Sequence, residues 1–566
     1  MLDREWVVHQ ADQVQRAFLS QSLSISPITA SVLLARGVIT AEQARNWLSP
    51  NSVRRHDPFL LPEMEVAVDR LYRAVQTSER ICFYGDYDVD GMAATSLYLS
   101  FFRGLGVEPV AYIPHRVHEG YGLNERAIRR LREDGISLIV TSDCGTTSLR
   151  EVELGKRLGI DIIITDHHQP DEQLPAACAL LNPHRPDSRY PFTGLCSTGV
   201  AYRVVCAYAD RHGYSRVDPD SLLDLVALAT VADVVPLQDE NRFFVREGLR
   251  LIERGARTGL RALKLVAGVG QDCTTSTLAF KLAPRINAAG RLAHAEIGVK
   301  LLTTESEFEA RAEALRLDEL NRERQRIEET TMGEAVRMVA GVELPGGLVM
   351  WARGWHLGVV GIVAARLVER YHRPSVVIAV DGQGIGKGSA RSVPGFNLYD
   401  ALAQCRDLLM GFGGHPSAAG MTVAEARLPA FRERFASIAE SWSAAQPKQR
   451  VLQVDAQVDL AEMRPRVVYE LDSLNPYGAG NPEPTLAVRD VAVLSVRVVG
   501  NGHLKLTVRH KHSPPFDGIG FRMGELADSR LTGCARLDLA FVPELNRWNG
   551  LERVQLRIRD VRMGQP

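Results

Sequence analysis

Asp86, Asp88 and Asp90 alternate in Gly85-Asp86-Tyr87-Asp88-Val89-Asp90-Gly91, directly after the apolar run Ile81-Cys82-Phe83-Tyr84. Alternate residues of an extended chain point the same way, so the three carboxylates are expected to project from one edge. Three like charges that close repel one another unless a cation neutralises them, and hard divalent ions such as manganese or magnesium favour oxygen ligands. An acidic turn in solvent would carry the same residues, so this motif alone leaves both readings open. More acids and histidines follow apolar runs further on: Asp143 after Leu138–Ser142, Asp166-His167-His168 after Ile162–Thr165, and Asp233 after Leu225–Ala232. A lone aspartate after a strand often caps the next helix. Two adjacent histidines beside an acid rarely serve packing alone, and four such clusters together favour a metal site.

The elements that must position these residues are short apolar runs at Ile81–Tyr84, Glu108–Ile113, Leu138–Ser142 and Asp161–Thr165, with helical stretches at Asn124–Glu133 and Ser148–Leu158 between them. This alternation predicts an α/β fold with a mostly parallel sheet and crossover helices. In such sheets the ligand site lies at the carboxyl ends of strands, beside a topological switch point. Leu225–Ala232 reads as a buried helix by its composition.

Several stretches carry basic or glycine-rich chemistry. Pro114–Leu123 places Arg116 and two histidines in a glycine-punctuated loop, a phosphate clamp or a solvated loop. Ala283–Arg291 sets Arg285 and Arg291 with Asn287 among small residues, a surface able to approach a nucleic-acid backbone closely. Residues 305–338 form a charged run without proline, expected as one long connecting helix. Beyond it lie a short strand at Leu348–Trp351 and three glycine-bearing runs: Gly354-Trp355-His356, Gly386–Ser392 and Gly413–Gly420. The last two read as glycine loops. At the first, small residues opening a helix let backbone N–H groups face an anion.

From about Val451 the runs Val451–Asp455, Val491–Val498, Leu504–Val508 and Val554–Ile558 are expected as strands of a small antiparallel barrel. Asn475–Pro484 is a turn-rich insert and Arg547–Gly550 a hairpin turn. Tyr477, His503, Lys505, Arg509, Lys511 and Trp548 are candidates for stacking on or pairing with a single strand. Residues 1 to about 60 show helical spacing around Ile28–Ala35 and Ala41–Leu48 and no chemistry, which suggests a docking role.

At 566 residues the chain is too long for one core. The divisions expected are 1–60, 61–300, 301–342, 343–447 and 448–566. The formal net charge of −1 gives no global argument for a nucleic-acid partner, but a local basic groove is compatible with it. Eight scattered cysteines with no C-x-x-C pair argue against a zinc ribbon or disulfide framework and fit a reducing compartment. No apolar run approaches the ~20 residues that span a bilayer. A cytoplasmic protein with no membrane partner is expected.

Gly85–Gly91, Ser142-Asp143-Cys144-Gly145, Asp166-His167-His168 and Ala229–Leu237 resemble, in order and at comparable spacings, the four motifs of the DHH phosphoesterase superfamily. The resemblance implies a catalytic centre of Asp86, Asp88, Asp90, Asp143, Asp166, His167, His168 and Asp233. Two divalent cations, manganese or magnesium, would be held by Asp88, Asp90, Asp143, His167 and Asp233, with the other three in support. These motifs leave the substrate open among pyrophosphate, polyphosphate, cyclic dinucleotides, short RNA and long single-stranded DNA.

Gly354-Trp355-His356, Lys387–Ser392 and Gly413-Gly414-His415 resemble the DHH-associated domain, in a pattern similar to the RecJ family of 5′→3′ exonucleases specific for single-stranded DNA. That resemblance implies a DHH parallel-sheet domain and an α/β DHH-associated domain joined by the long helix, with a C-terminal OB-type β-barrel. Ser389, Arg391 and Arg116 would hold a terminal 5′ phosphate and His415 would sit near the scissile group. Arg285, Asn287, Arg291 and His356 would complete the substrate-binding set. The implied role is release of 5′-mononucleotides in DNA recombination and repair, with a helicase and a single-strand binding protein as partners and a monomer as the simplest assembly. The alternatives are an oligoribonuclease or nucleotide phosphatase of the same superfamily, and a non-catalytic single-strand-binding protein.

Overall fold

Ile81–Gly85 is buried at every position, as a central strand covered on both faces must be. In the computed structural model, which describes residues 4–49, 55–116, 118–213, 217–341, 343–444, 450–527, 531, 536–548 and 551–563, this strand lies in a five-stranded parallel sheet. The order is Val110–Tyr112, Ile81–Gly85, Leu138–Ser142, Asp161–Thr165, Ala179–Leu181. The chain steps to one side of Ile81–Gly85 for its next strand and to the other side afterwards. The carboxyl ends of Ile81–Gly85 and Leu138–Ser142 therefore flank the switch point. The helices Val89–Gly104, Ser197–His212 and Leu223–Ala232 pack together and are buried along most of their length, which their apolar composition requires.

The first acidic motif departs from the alternation expected of an extended chain. Ile81–Gly85 ends before it, and Asp88 caps the helix Val89–Gly104 by accepting from the N–H groups of Asp90 (2.9 Å) and Gly91 (3.2 Å). Asp86 thus sits at a strand end, Asp88 at the cap and Asp90 in the first helical turn. The tight turn needs Gly91, where an added Cβ would come within 2.3 Å of the Asp86 nitrogen.

The long helix runs from Glu307 to Met338, capped by Ser306 and laced by Asp318–Arg322 (2.7 Å) and Arg324–Glu328 (2.5 Å) pairs one turn apart. After it comes a second five-stranded sheet ordered Gly411–Gly414, Ala418–Ala424, Ile385–Arg391, Ser375–Val380, Leu348–Arg353, with the helix Leu357–Tyr371 against it. The runs expected as glycine loops are therefore largely strands. At Gly388 an added Cβ would approach Ile378 Cγ1 at 2.6 Å and Met421 Sδ at 2.7 Å, so the large neighbours of adjacent strands occupy the space these glycines leave.

The chain forms two compact units, and everything above belongs to the one comprising Asp57–Asp233 and Gly248–Pro447. The other comprises Met1–His56, Val234–Glu247 and Lys448–Pro566. Its barrel closes in the order Leu486–Val499, His503–Arg509, Phe516–Gly520, Leu551–Met563, Arg536–Trp548 and back to the first. All neighbours are antiparallel except Phe516–Gly520 with Leu551–Met563.

This unit departs from expectation in two places. Val451–Asp455 contributes no barrel strand: Arg450–Val454 pairs in parallel with Arg4–Val8, a strand not expected in the helical N-terminal segment. That segment is also no separate docking piece. Leu19, Val32 and Leu33 from its helices share one core with Val467, Val468 and Leu471 of the helix Pro465–Asp472 and with Leu486, Phe541 and Leu556 of the barrel. Arg242 joins the same unit by donating to the Leu474 carbonyl (2.8 Å) and the Trp47 carbonyl (2.9 Å). The tip of the expected turn at Arg547–Gly550 and the Trp548 side chain lie outside the described residues. No single described helix is long and apolar enough to cross a membrane.

Candidate active site

The four acidic and histidine motifs converge at the carboxyl ends of the parallel strands. Among the described residues, three groups bring one ligand atom each within 4.8 Å of one another: Asp86, Asp88 and Asp143; Asp90, His167 and Asp233; and Asp143, His167 and His168. The first two groups share no residue, so the cluster has room for two separate cations. His167 Nε2 lies 3.3 Å from Asp143 Oδ1, 3.6 Å from Asp233 Oδ2 and 3.9 Å from Asp90 Oδ2.

Backbone and side-chain donors fix this cluster from behind. Asp90 sits at the start of the helix Ser197–His212, accepting from the N–H of Ser197 (2.7 Å) and from the N–H (2.8 Å) and hydroxyl (2.7 Å) of Thr198. A helix N-terminus favours a carboxylate there. Asp166 accepts from the N–H groups of His167 (2.8 Å) and Thr146 (3.0 Å), and its Oδ1 is 2.7 Å from His168 Nδ1. Asn182 donates to the His168 carbonyl (2.8 Å).

The electrostatics are those of an anionic site suited to cations. Burial, then the Asp88 charge, raises the carboxyls of Asp86 and Asp143 well above the usual range. Burial with Asp90 and Asp88 pushes Asp233 up to about 8. Burial opposes ionisation of Asp166, but its bond to His168 holds it below the usual range. Burial likewise opposes charge on His168, yet Asp166 raises it to about 9. Asp86 Oδ1 and His167 Nε2 are buried and make no hydrogen bond. Orphaned ligand atoms in an oxygen-rich set with imidazole fit manganese or magnesium.

A second group of side chains is cationic. Arg391 donates to Ser389 Oγ (2.8 Å), and both pack against Gly361, where an added Cβ would lie 3.0 Å from Ser389 Oγ. Arg291 donates to the Gly358 carbonyl (3.0 Å); burial and then Arg116 push it down to about 10, with Arg324 and Arg391 adding to the effect. Arg116 lies over the Tyr87 ring at 4.7 Å. Crowded arginines are the counterpart of crowded carboxylates: they suit an anion.

The remaining candidates divide. Asn287 Oδ1 accepts from the Val89 N–H (3.1 Å), tying the helix Ala283–Leu292 to the first motif. His356 caps the helix Leu357–Tyr371 through the Gly358 N–H (3.1 Å). The His415 ring faces His168 with centroids 6.5 Å apart. Arg285 is committed to Asp318 (2.9 Å) and to the Lys281 carbonyl (2.6 Å). In the barrel unit, Tyr477 bonds the Leu471 carbonyl, Lys511 pairs with Asp459 (3.4 Å), Lys505 lies 3.9 Å from Asp517, and Arg509 is exposed. His503 meets Phe521 edge to face at 5.3 Å.

The sequence does not single out Ser197 or Thr198, because no local pattern ties a helix start to a motif about a hundred residues earlier, nor Asn182, which reaches the His168 carbonyl from the end of the neighbouring strand.

Family models match three successive segments: the DHH family, N-terminal domain at residues 80–230, the DHHA1 domain at 345–441 and the RecJ OB domain at 454–560. The single-stranded-DNA-specific exonuclease RecJ of Bacillus subtilis (strain 168) is 40% identical over 565 residues, covering 99% of this chain and 71% of that protein. The Escherichia coli (strain K12) protein of the same name is 37% identical over 563 residues, covering 95% of this chain and 96% of its own. A crystal structure of RecJ from Thermus thermophilus in complex with Mn2+ superposes with a TM-score of 0.84 at 30% identity, covering 99% of this chain and 80% of that one. By sequence along nearly its whole length and by fold, the chain belongs to the RecJ family.

Proposed function

We propose that this chain is a 5′→3′ exonuclease that hydrolyses single-stranded DNA to 5′-mononucleotides in recombination and repair. One observation carries the reading: a carboxylate–histidine cluster and a group of arginines with Ser389 occur in the same compact unit. The first suits divalent cations and the second suits phosphate.

Asp88, Asp90, Asp143, His167 and Asp233 hold the cations, manganese or magnesium as in the Thermus structures. When bound, these ions supply a water of lowered pKa and neutralise charge on the scissile phosphate. Asp86 and Asp166 support the ligands, and Asp166 orients His168 through Nδ1. His415 and His168 face one another where the scissile group would lie. Ser389, Arg391 and Arg116 grip the terminal 5′ phosphate and so set polarity. Arg291, Asn287 and His356 support the strand, whereas Arg285 secures the long helix through Asp318.

The barrel offers a further single-strand surface. A helicase and a single-strand binding protein supply the substrate, the setting is the cytoplasm, and a monomer suffices because one chain carries every residue named. By function the chain divides into 61–300, 301–342, 343–447 and 448–566, with residues 1–60 acting as part of the last through their shared core.

The test uses 5′- and 3′-labelled single-stranded, duplex and dinucleotide substrates with manganese or magnesium, beside an Asp143→Ala control. Mononucleotides released from the 5′ end of single strands, only with metal, are expected. Cleavage of dinucleotides alone, or binding without cleavage, would overturn the reading.

A further inference from the structure

Tyr121 stands between two glycines in left-handed conformations, Gly120 (φ +88°) and Gly122 (φ +78°). A side chain at either would be strained, so the turn is built to present the tyrosine. It is anchored from the sheet: Tyr84 donates to the Gly122 carbonyl (2.9 Å), and Asn124 donates to the Tyr84 hydroxyl (3.1 Å). From this turn the Tyr121 hydroxyl donates to the Asp143 carbonyl (2.8 Å).

Asp143 itself has φ +66°, a region that non-glycine residues rarely occupy. Such a conformation persists only when its surroundings over-determine it. The Asp143 N–H is held by the Thr165 carbonyl (3.1 Å), so Tyr121 completes the restraint on the other side of the residue. Asp143 is also the carboxylate common to two of the three candidate ligand groups. The Tyr121 ring meets His168 edge to face, with centroids 5.9 Å apart at 74°, and its hydroxyl lies 3.3 Å from His168 Nδ1.

We propose that Tyr121 is a positioning residue of the cation site: its hydroxyl holds the Asp143 carbonyl and thereby keeps the Asp143 carboxylate aimed at the ligand atoms of the two groups it belongs to, Asp86 with Asp88 and His167 with His168. The inference rests on the cation-dependent reading of the site. Tyr121 bonds the Asp143 carbonyl rather than its carboxylate, so its effect passes through the Asp143 backbone.

The test is Tyr121→Phe, which keeps the ring and removes the hydroxyl. Mn2+ binding to the metal-free protein is measured by calorimetry, together with the Mn2+ dependence of turnover and the KM for single-stranded DNA. Mn2+ affinity should fall about five-fold, the size of effect one hydrogen bond carries. The Mn2+ concentration for half-maximal turnover should rise by the same factor. KM for DNA should stay at its wild-type value, the metal-free melting temperature should fall by no more than the few degrees one hydrogen bond carries, and excess Mn2+ should restore turnover.

Unchanged Mn2+ affinity in a variant whose wild type binds Mn2+ and cleaves DNA would overturn this inference alone. A raised KM with unchanged Mn2+ binding would overturn it too, and would place the hydroxyl against the substrate. A wild type that binds no Mn2+ would sink the cation reading as well.

Discussion

The carboxylate cluster and the arginine group hold like charges together by different means. The carboxylates of the first sit at strand ends, a helix cap or a helix N-terminus, where backbone N–H groups fix them: Asp88 by Asp90 and Gly91, Asp90 by Ser197 and Thr198, Asp166 by Thr146 and His167. The arginines are held at fewer points. Arg391 leans on Ser389 and the Ala390 carbonyl, Arg291 on the Gly358 carbonyl and Arg116 on the Tyr87 ring. The contrast follows from the partner. A small cation requires ligands set to tenths of an ångström, whereas a phosphate on a moving strand tolerates long side chains.

The strongest way to break this contrast is Asp143→Asn. Turnover should fall on the order of 10^3-fold, as for groups acting on transition-state charge. The metal-free protein should melt no lower than wild type, because burial, and then Asp88 and Asp90, already oppose charge at this carboxyl and a neutral amide avoids that cost. A lowered melting temperature would mean that the cluster is structural.

Next is Arg391→Met. KM for 5′-phosphorylated single strands should rise roughly ten- to a hundred-fold, the worth of ~1.5–3 kcal/mol for a hydrogen bond to a charged group. Mn2+ affinity should not move. Equal losses on 5′-phosphate and 5′-hydroxyl strands would dissociate Arg391 from the terminal phosphate.

Divalent cation should also stabilise the fold by linkage, by about 2.7 kcal/mol at a hundred times the dissociation constant. Thermal melts with manganese and with chelator would show the shift in wild type and its loss in Asp143→Asn. The smallest effect is expected of Arg285→Ala. Breaking its pair with the buried Asp318, which keeps Arg322, should destabilise by about 1.5 kcal/mol and leave KM for DNA within about two-fold. A large rise in KM would return Arg285 to the substrate.

The placement of Asp143 and the Asp166–His168 triplet was legible because a parallel sheet puts loop residues after its strands at one rim. Asp90 was legible as a ligand candidate but not as a helical residue, since capping by Asp88 overrides the period-two pattern. The glycines at 386 and 388 read as loop because their partners, Ile378 and Met421, are neighbours only across the sheet. The support of Asp90 by Thr198 depends on a contact over 108 positions, which no local pattern encodes.

The parallel pairing of Arg4–Val8 with Arg450–Val454 also bears on how the chain comes off the ribosome. The strand Arg4–Val8 must wait for a partner made more than four hundred residues later, and Leu19, Val32 and Leu33 wait longer still for Phe541 and Leu556. During synthesis the intervening catalytic sheets can fold while the leading helices remain uncovered, a period of exposure for their apolar faces. A chain cut after residue 447 should therefore keep its cation site yet expose that N-terminal surface, read as dye binding and aggregation.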